Sequence, residues 1–564
     1  MPPRRSVRSP APARSPKATT KAADLTAPSS PYETGDDAAA DEPQDDFRRW
    51  RMAFLKSWAK AAAEMGGLPL ALLMFVPRTC ISFLVIAVAM LGRSIARIFQ
   101  TASPYHKKAN LRILIITDYL PPQTHGIAIR FSHYIRYMRS QGHEVQVFCT
   151  NIVRETESSF DHPNLPSIIN PYNVKNKMAY TTGVKLAWYL GAKQWDLVHL
   201  VCPSNIPWPV LPVVAWRRIP IYVSHHVDMR YYIFEYVKVN FMAQFGFAMH
   251  YLITMLPSMW LAQVNAAPTL TFLNQYLYNI AGQRKRIPSG VAHERFLVDS
   301  EIQVKGEREQ MLKRCGYGAD ADVCMLLMVQ RLAPEKGTMR CLEALAQQPR
   351  KANQPLSLDG KRPVHLMVAG DGPSRKMLEA FAVEHSLPVT FVGNLPNNNL
   401  PPLYRAADLF VTCSTSETYG LTVLEALACG TPVVLPHCGV FDELWSETGK
   451  IPQAWIYTEG ADVDVVATSL LRSLRAATLP AAKQFLKEHP VKASWKDATD
   501  ELLEQYEEAI EANRPHRQKL STIVSGIDTL VRTLLVMAFF WWCLKSYTNK
   551  AMDIVGKLTE DLLN

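Results

Sequence analysis

Between residues 110 and 490, short and nearly unbroken apolar runs alternate with longer stretches of helical period, a rhythm that predicts β–α–β–α units. LRILIIT (111–117) reads as a buried strand and DYLPPQTHG as a loop. IAIRFSHYIRYMRSQG reads as an amphipathic helix ending at Gly142, and HEVQVFCT as the next strand. This is the opening of a Rossmann-like domain. Gly126 stands where the first helix begins, a place where backbone without a Cβ can approach a phosphate; a plain turn glycine is the alternative. WDLVHLVCPS and IPIYVSHH (219–226) are further strands ending at the same sheet edge. Functional groups of open sheets collect at strand C-terminal ends, so His225 and His226 are well placed. PSGVAHERF closes this first domain, taken as 110–300, and the stretch near 300–315 reads as a linker.

The pattern restarts with CMLLMVQ, a strand that delivers Arg331 and then Lys336 to the strand-to-helix edge, where two cations neutralise a leaving diphosphate. HLMVAGDGP (365–373) is a strand ending in a turn at Gly370 and Gly372, and FVGNLP (391–396) is another, ending at Gly393. DLFVTC (408–413) follows. Gly420 permits a tight turn, LTVLEALA has helical spacing and Gly430 suits a C-cap, so the free N–H groups of that helix face a phosphate. Glu417 and Glu425, with seven residues between them, put two acids beside this helix N-terminus, an arrangement suited to a sugar nucleotide. The second domain is taken as 316–490. The fold class expected is α/β, with parallel, doubly wound sheets.

Composition bounds the rest. A chain of 564 residues with 48% hydrophobic content is long enough for two full cores and additional flanks. Its ten cysteines include no Cys-x-x-Cys pair and no close Cys/His cluster, which predicts neither a disulfide framework nor a zinc site and fits a reducing compartment. The net charge of +10 is unevenly spread: Arg93, Arg97, Lys107, Lys108 and Arg112 lie in a stretch (93–112) without acids, which suits an anionic membrane surface, a solvated connector being the alternative. No interleaving of aromatic and basic residues suggests a nucleic-acid module.

The flanks divide further. Residues 1–46, rich in Pro, Ala, Ser and Thr, are expected to be a disordered tail, with a targeting segment for a plastid or other organelle as the alternative. Residues 47–109 are expected to associate with a membrane. Within them 66–91 is long enough to span, but Pro77 and Arg78 split it, so a re-entrant hairpin is equally in view. At the other end 520–545 reads as an apolar anchor with a Trp pair in 530–545. Packing of both segments on the protein as a buried helix pair is the alternative. The aromatic and Met-rich run 229–260 suits a lipid acceptor or a core helix. Residues 495–513 form an acidic amphipathic helix.

Three patterns in the second half, Arg331-x4-Lys336, Gly370-Asp-Gly372-Pro and Glu417-x7-Glu425, occur in the order in which family 4 of the retaining glycosyltransferases carries them. The chain resembles that family. The resemblance implies a GT-B fold, two Rossmann-like domains facing across a cleft, with a last helix (491–515) crossing back to the first. It implies that Glu417 contacts the donor sugar and Glu425 the ribose hydroxyls, with Tyr419, Gly420, Leu421 and the glycines at 370, 372 and 393 lining the donor site. GIAIRF, with Gly126 and Arg130, HLVCPS, and VSHHVDMRYY are similar to segments of the sulfoquinovosyl-diacylglycerol synthase group. On that alignment His226 matches the first histidine of the group's stretch and is expected to be catalytic, with Gly126 and Arg130 binding the donor; a structural histidine, satisfied internally, is the alternative. QRLAPEKG and Ala292 depart from the usual pattern.

The chemistry expected is hexosyl transfer with retention. Departure of a nucleoside diphosphate builds charge on the phosphate, which Arg331 and Lys336 stabilise electrostatically. No Asp-x-Asp pair sits at a strand end, so metal-independent catalysis is expected, with no cofactor beyond the nucleotide-sugar co-substrate. Both glutamates fall on the donor side, unlike the carboxyl pair that flanks a glycosidase substrate, and the resemblance implies front-face attack. The acceptor expected is a membrane lipid such as diacylglycerol, the donor a UDP-sugar, UDP-sulfoquinovose being one candidate. A soluble acceptor, or a catalytically silent nucleotide-sugar-binding scaffold, are the competing readings.

Overall fold

In a computed structural model of the chain, residues 108–513 are described, except 121–125, 150–166, 171–172, 180–189, 191–192, 203, 205–206, 228–255, 277–281, 297–299, 349–353, 359, 461 and 492. The expectations for 1–46, for nearly all of 47–109, for most of 229–260 and for 520–545 lie outside the described residues. Among those described, no helix is long and apolar enough to cross a membrane.

The first sheet contains β1 (Arg112–Ile116), β2 (Glu144–Phe148), β5 (Leu197–Cys202), β6 (Ile221–His225), β7 (Val264–Ala267) and β8 (Gln283–Arg286), ordered β2-β1-β5-β6-β7-β8 with every pairing parallel. A hairpin, β3 (Ser167–Asn170) with β4 (Asn173–Ala179), stands apart from it. The second sheet is also wholly parallel: β9 (Cys324–Val329), β10 (Val364–Ala369), β11 (Val389–Gly393), β12 (Leu409–Val411), β13 (Val433–Pro436) and β14 (Ile456–Tyr457), ordered β11-β10-β9-β12-β13-β14. LVHLVC in β5 and CMLLMV in β9 are buried at every position. Such unbroken apolar runs follow from a sheet covered on both faces, where alternation would bury polar side chains.

Helices on these faces include α1 (Gly126–Ser140), α2 (Pro207–Arg217), α3 (Leu270–Tyr276), α4 (Glu301–Arg314), α5 (Thr338–Gln347), α6 (Arg375–Glu384), α7 (Leu400–Ala406), α8 (Leu421–Ala428), α9 (Val463–Ala477) and α10 (Trp495–Ala512). The stretch read as a linker is α4. Ser300 caps it by accepting from Gln303 N, and it docks on the second domain through buried Met311 and Leu312 and through Arg308, which donates to the Ala406 carbonyl at 2.7 Å and pairs with Asp408 at 2.8 Å. The chain order of each sheet reverses beside its central strand, between β1 and β5 and between β9 and β12. Crevices open at such points past the strand C-terminal ends.

Helix α10 returns to the first domain. Ser494 caps it by accepting from Asp497 N at 3.0 Å, and its Trp495, Leu502, Tyr506 and Ala509 are buried with residues of β1, β5, β6 and α1. Gln505 accepts from Tyr222 Oη at 2.6 Å and donates to the Arg286 carbonyl at 3.0 Å.

Candidate active site

The second domain's half of the cleft grows out of the loops after β9, β10 and β12. Gln330 ends β9 and ties these loops together: its amide donates to the Lys336 carbonyl and to Thr338 Oγ1, both at 2.9 Å, and accepts from Thr412 Oγ1 at 2.9 Å. A Cβ on Gly370, whose φ is +141°, would stand 1.9 Å from the Gln330 carbonyl oxygen, and one on Gly372 2.3 Å from that of Leu332. Only glycine admits this approach of backbone to backbone. The structure thus gives Gly370 and Gly372 a packing role between loops; Gly393 closes the same turn, its carbonyl accepting from Gly370 N at 2.8 Å.

These contacts present a charged cluster. Lys336 Nζ lies 2.5 Å from Glu417 Oε1, both half-buried, and Arg331 is exposed just past β9. Burial alone would raise the Glu417 carboxyl, but the Lys336 ammonium and the Ser414 hydroxyl outweigh it and hold the group below its usual range. Two residues on, Tyr419 stands 5.7 Å beneath the Arg130 guanidinium. Gly420 then turns the chain at φ +80°, and a Cβ there would meet Phe441 Cε1 at 2.8 Å. Leu421 opens α8. A Cβ added at Gly126, the first residue of α1, would stand 3.3 Å from Leu421 Cδ1, so the N-termini of α1 and α8 meet across the cleft. The start of a helix carries the positive end of its dipole, a setting that favours an anion.

Glu425 does not share the place of Glu417. It sits one turn inside α8, accepts from Tyr404 Oη at 2.8 Å, and lines a separate pocket with Ile129, His133, Arg295, Leu421 and Trp495, drawn from both domains and α10. Burial pushes its carboxyl up to about 7, against the pull of Tyr404 and Arg295. His133 stacks on Trp495 at 4.9 Å and is pushed down to about 4, first by burial and then by Arg136.

The first domain's half is built differently. Arg130 is buried, with Nη1 2.9 Å from His226 Nδ1 and Nη2 donating to Ser289 Oγ at 2.5 Å. A guanidinium only donates, so His226 Nδ1 accepts and Nε2 carries the proton. That N–H meets Ser224 Oγ at 2.9 Å; the Ser224 hydroxyl then donates to His199 Nε2 at 2.7 Å, and His199 Nδ1–H to Tyr506 Oη at 2.5 Å. Burial pushes His199 down to about 3, which keeps it neutral. One end of this one-way chain lies at the cleft and the other on α10. Both ring nitrogens of His226 are engaged inside the domain, the arrangement of the internally satisfied alternative. His225 is buried beside Asn265 at 3.4 Å.

One further contact joins the domains: the Glu443 carboxylate accepts from Leu270 N at 2.9 Å and Thr271 N at 2.6 Å, at the start of α3. Tyr404 and Glu443 belong to no spaced motif, and Gln330, Ser289 and Arg295 lie in segments whose pattern does not mark them as site residues. Among the described residues no group of three or more His, Cys, Asp or Glu side chains is placed to hold a metal ion. None of the eight described cysteines forms a disulfide.

The chain is similar to known proteins in sequence and in fold. Residues 314–485 match the model of the glycosyl transferases group 1, and residues 124–268 that of glycosyltransferase family 4; between them the two matches take in more than half of the chain. The sulfoquinovosyl transferase SQD2 of Arabidopsis thaliana is 26% identical over 418 residues, 72% of this chain and 75% of that protein. The alpha-monoglucosyldiacylglycerol synthase of Streptococcus pneumoniae is 26% identical over 331 residues, 57% of this chain and 70% of that protein. A sucrose-phosphate synthase from Thermosynechococcus elongatus superposes with a TM-score of 0.51 at 19% identity, covering 71% of this chain and 99% of that structure, a likeness of fold. The chain belongs to glycosyltransferase family 4 and has the GT-B fold of two parallel six-stranded α/β domains.

Proposed function

We propose that this glycosyltransferase moves a hexosyl group, with retention, from a nucleoside diphosphate sugar to a membrane lipid. The observation that carries the reading is the Lys336–Glu417 pair, which joins the loop after β9, where Arg331 also stands, to the loop that leads into α8 at Leu421, whose start faces Gly126 of α1. A diphosphate bound there takes up the Lys336 ammonium and the Arg331 guanidinium, and Glu417 is freed toward the sugar. As the bond from the anomeric carbon to phosphate oxygen breaks, the two cations stabilise the growing charge, the role a metal would otherwise fill. The bond to the acceptor oxygen forms on the same face, and the acceptor proton passes to the departing phosphate. Glu425, in its separate pocket, takes the ribose hydroxyls.

A UDP-sugar and diacylglycerol are the donor and acceptor we favour; the lipid is supported by the diacylglycerol in the pneumococcal relative's name, and a hexosyl donor by the sulfoquinovosyl group in that of the Arabidopsis one. The protein would work on the reducing side of a membrane. The test is to incubate the purified full chain with UDP- and GDP-sugars, each offered diacylglycerol vesicles and a panel of soluble sugars, and to identify the product by mass and anomeric configuration. A retained glycolipid supports the reading; transfer to a soluble sugar alone, or an inverted product, overturns it.

A further inference from the structure

We propose that a corner of the first domain, formed by residues 193–196, by Trp216 to Arg218 and by Asn513, lies on an anionic lipid bilayer, with both apolar flanks leaving the protein there; this rests on the membrane-associated reading above. The chain arrives at this corner. Lys108 Nζ pairs with Asp196 Oδ1 at 2.6 Å, and Arg112 N donates to Asp196 Oδ2 at 2.9 Å. The chain also leaves from it, because Asn513 Nδ2 donates to the Arg218 carbonyl at 2.7 Å where α10 ends. Arg217 links the two points through Nη1, which donates to the Leu190 carbonyl at 2.6 Å and the Lys193 carbonyl at 2.9 Å.

What the corner displays fits a headgroup layer. Trp216 is 68% exposed, with Arg217 and Arg218 beside it, the pairing of amphipathic ring and cation found at membrane–water interfaces. Arg218 holds φ +57°, a left-handed conformation in which glycine is the default, so a cation stands where the backbone alone would favour none. The flanks add charge of the same sign. Residues 93–112 contain no acid, and Arg514, Arg517 and Lys519 follow Asn513 with no acid before Asp528. The acids near the corner are Asp196, held by Lys108 and Arg112, Glu144, paired with Lys193 at 2.8 Å, Glu508, paired with Lys285 at 2.7 Å, and Glu507 and Glu511 in the last turns of α10. Polybasic segments beside apolar ones are attracted to anionic leaflets. All of this lies at the N-terminal ends of β1, β5 and β6, so the cleft stands a strand's length above, roughly 20 Å at the usual rise.

Hydroxyl-radical footprinting of the full chain tests this without donor or acceptor, on vesicles of phosphatidylcholine alone and of phosphatidylcholine with phosphatidylserine. Oxidation of Trp216 should slow by at least about fivefold on the anionic vesicles, as its ring enters the headgroup layer, while exposed Met377 on α6 reacts unchanged. R218G keeps a backbone suited to its φ, so it should melt no lower than the parent yet lose at least half of the Trp216 protection. Equal Trp216 oxidation on both vesicles, equal protection of Met377, or protection that scales with protein concentration and not with lipid, as a second copy would give, each overturns the corner. Failure to bind either vesicle overturns the membrane-associated reading itself.

Discussion

On the second domain's side of the cleft, Arg331 is exposed and Lys336 and Glu417 are half-buried, their charges within reach of a ligand. On the first domain's side, Arg130 and His226 are buried, and their polar atoms meet Ser289, Ser224 and, through His199, Tyr506. Both halves came from family-like motifs, yet the physics differs. A charge that holds an exchangeable partner can trade it for a phosphate; a guanidinium donating to buried neutral groups cannot leave without stranding them. On the function proposed above, the first half sets shape and the second carries the chemistry.

The sharpest break in this comparison is on the chemical side. K336A and R331A should each lower kcat by about 100- to 1000-fold, the cost of one preorganised donor to developing charge, with little change in melting temperature. Parallel loss of activity and fold would erase the contrast. R130A should behave in the reverse way: stranding His226 and Ser289 costs about 2–3 kcal/mol of stability, read by urea titration, while turnover per folded molecule falls less than in K336A.

G420A tests the turn between the two acids. A side chain at φ +80° that also meets Phe441 should destabilise by about 1–3 kcal/mol and displace Glu417. Circular dichroism melts and kcat would report both effects.

Glu425 gives a smaller effect with a defined sign. Its carboxyl is raised from the ordinary 4.5 to about 7, so between those values the folded protein holds a proton that the unfolded chain has lost. Stability should therefore fall as pH rises from 4.5 to 7 and level off above, and E425Q should flatten that fall. Smallest of all, E443Q should weaken the contact with Leu270 and Thr271 and raise KM for the donor a few-fold, by about 0.5–1 kcal/mol, without altering kcat.

What was legible in the sequence was what neighbours along the chain decide. CMLLMV and LVHLVC declare buried strands because every position must be apolar, and Gly420 declares its turn. The helix at 301–314 was read as a linker because EIQVKGEREQMLKR buries little beyond Met311 and Leu312 and is held by ion pairs, Arg308 with Asp408 and Glu307 with Arg405, whose partners lie about a hundred residues away. The spacing of Glu417 and Glu425 suggested one shared locus. Partners from other elements, Lys336 for one and Tyr404 for the other, draw them into different surroundings. The state of His226 depends on Arg130, whose side chain reaches it from 96 residues upstream. Periodicity carries no record of such meetings.

The central claim, that the second domain's loops hold the diphosphate through Lys336 and Arg331, is tested most directly by calorimetric titration of UDP into the wild-type chain, K336A, R331A and H226Q. The account predicts a Kd raised by about 10- to 100-fold in each of the first two, the range of a charge-assisted hydrogen bond, and a change several times smaller in H226Q. An unchanged Kd in K336A and R331A, with the loss falling on H226Q, would contradict it and move the phosphate to the first domain.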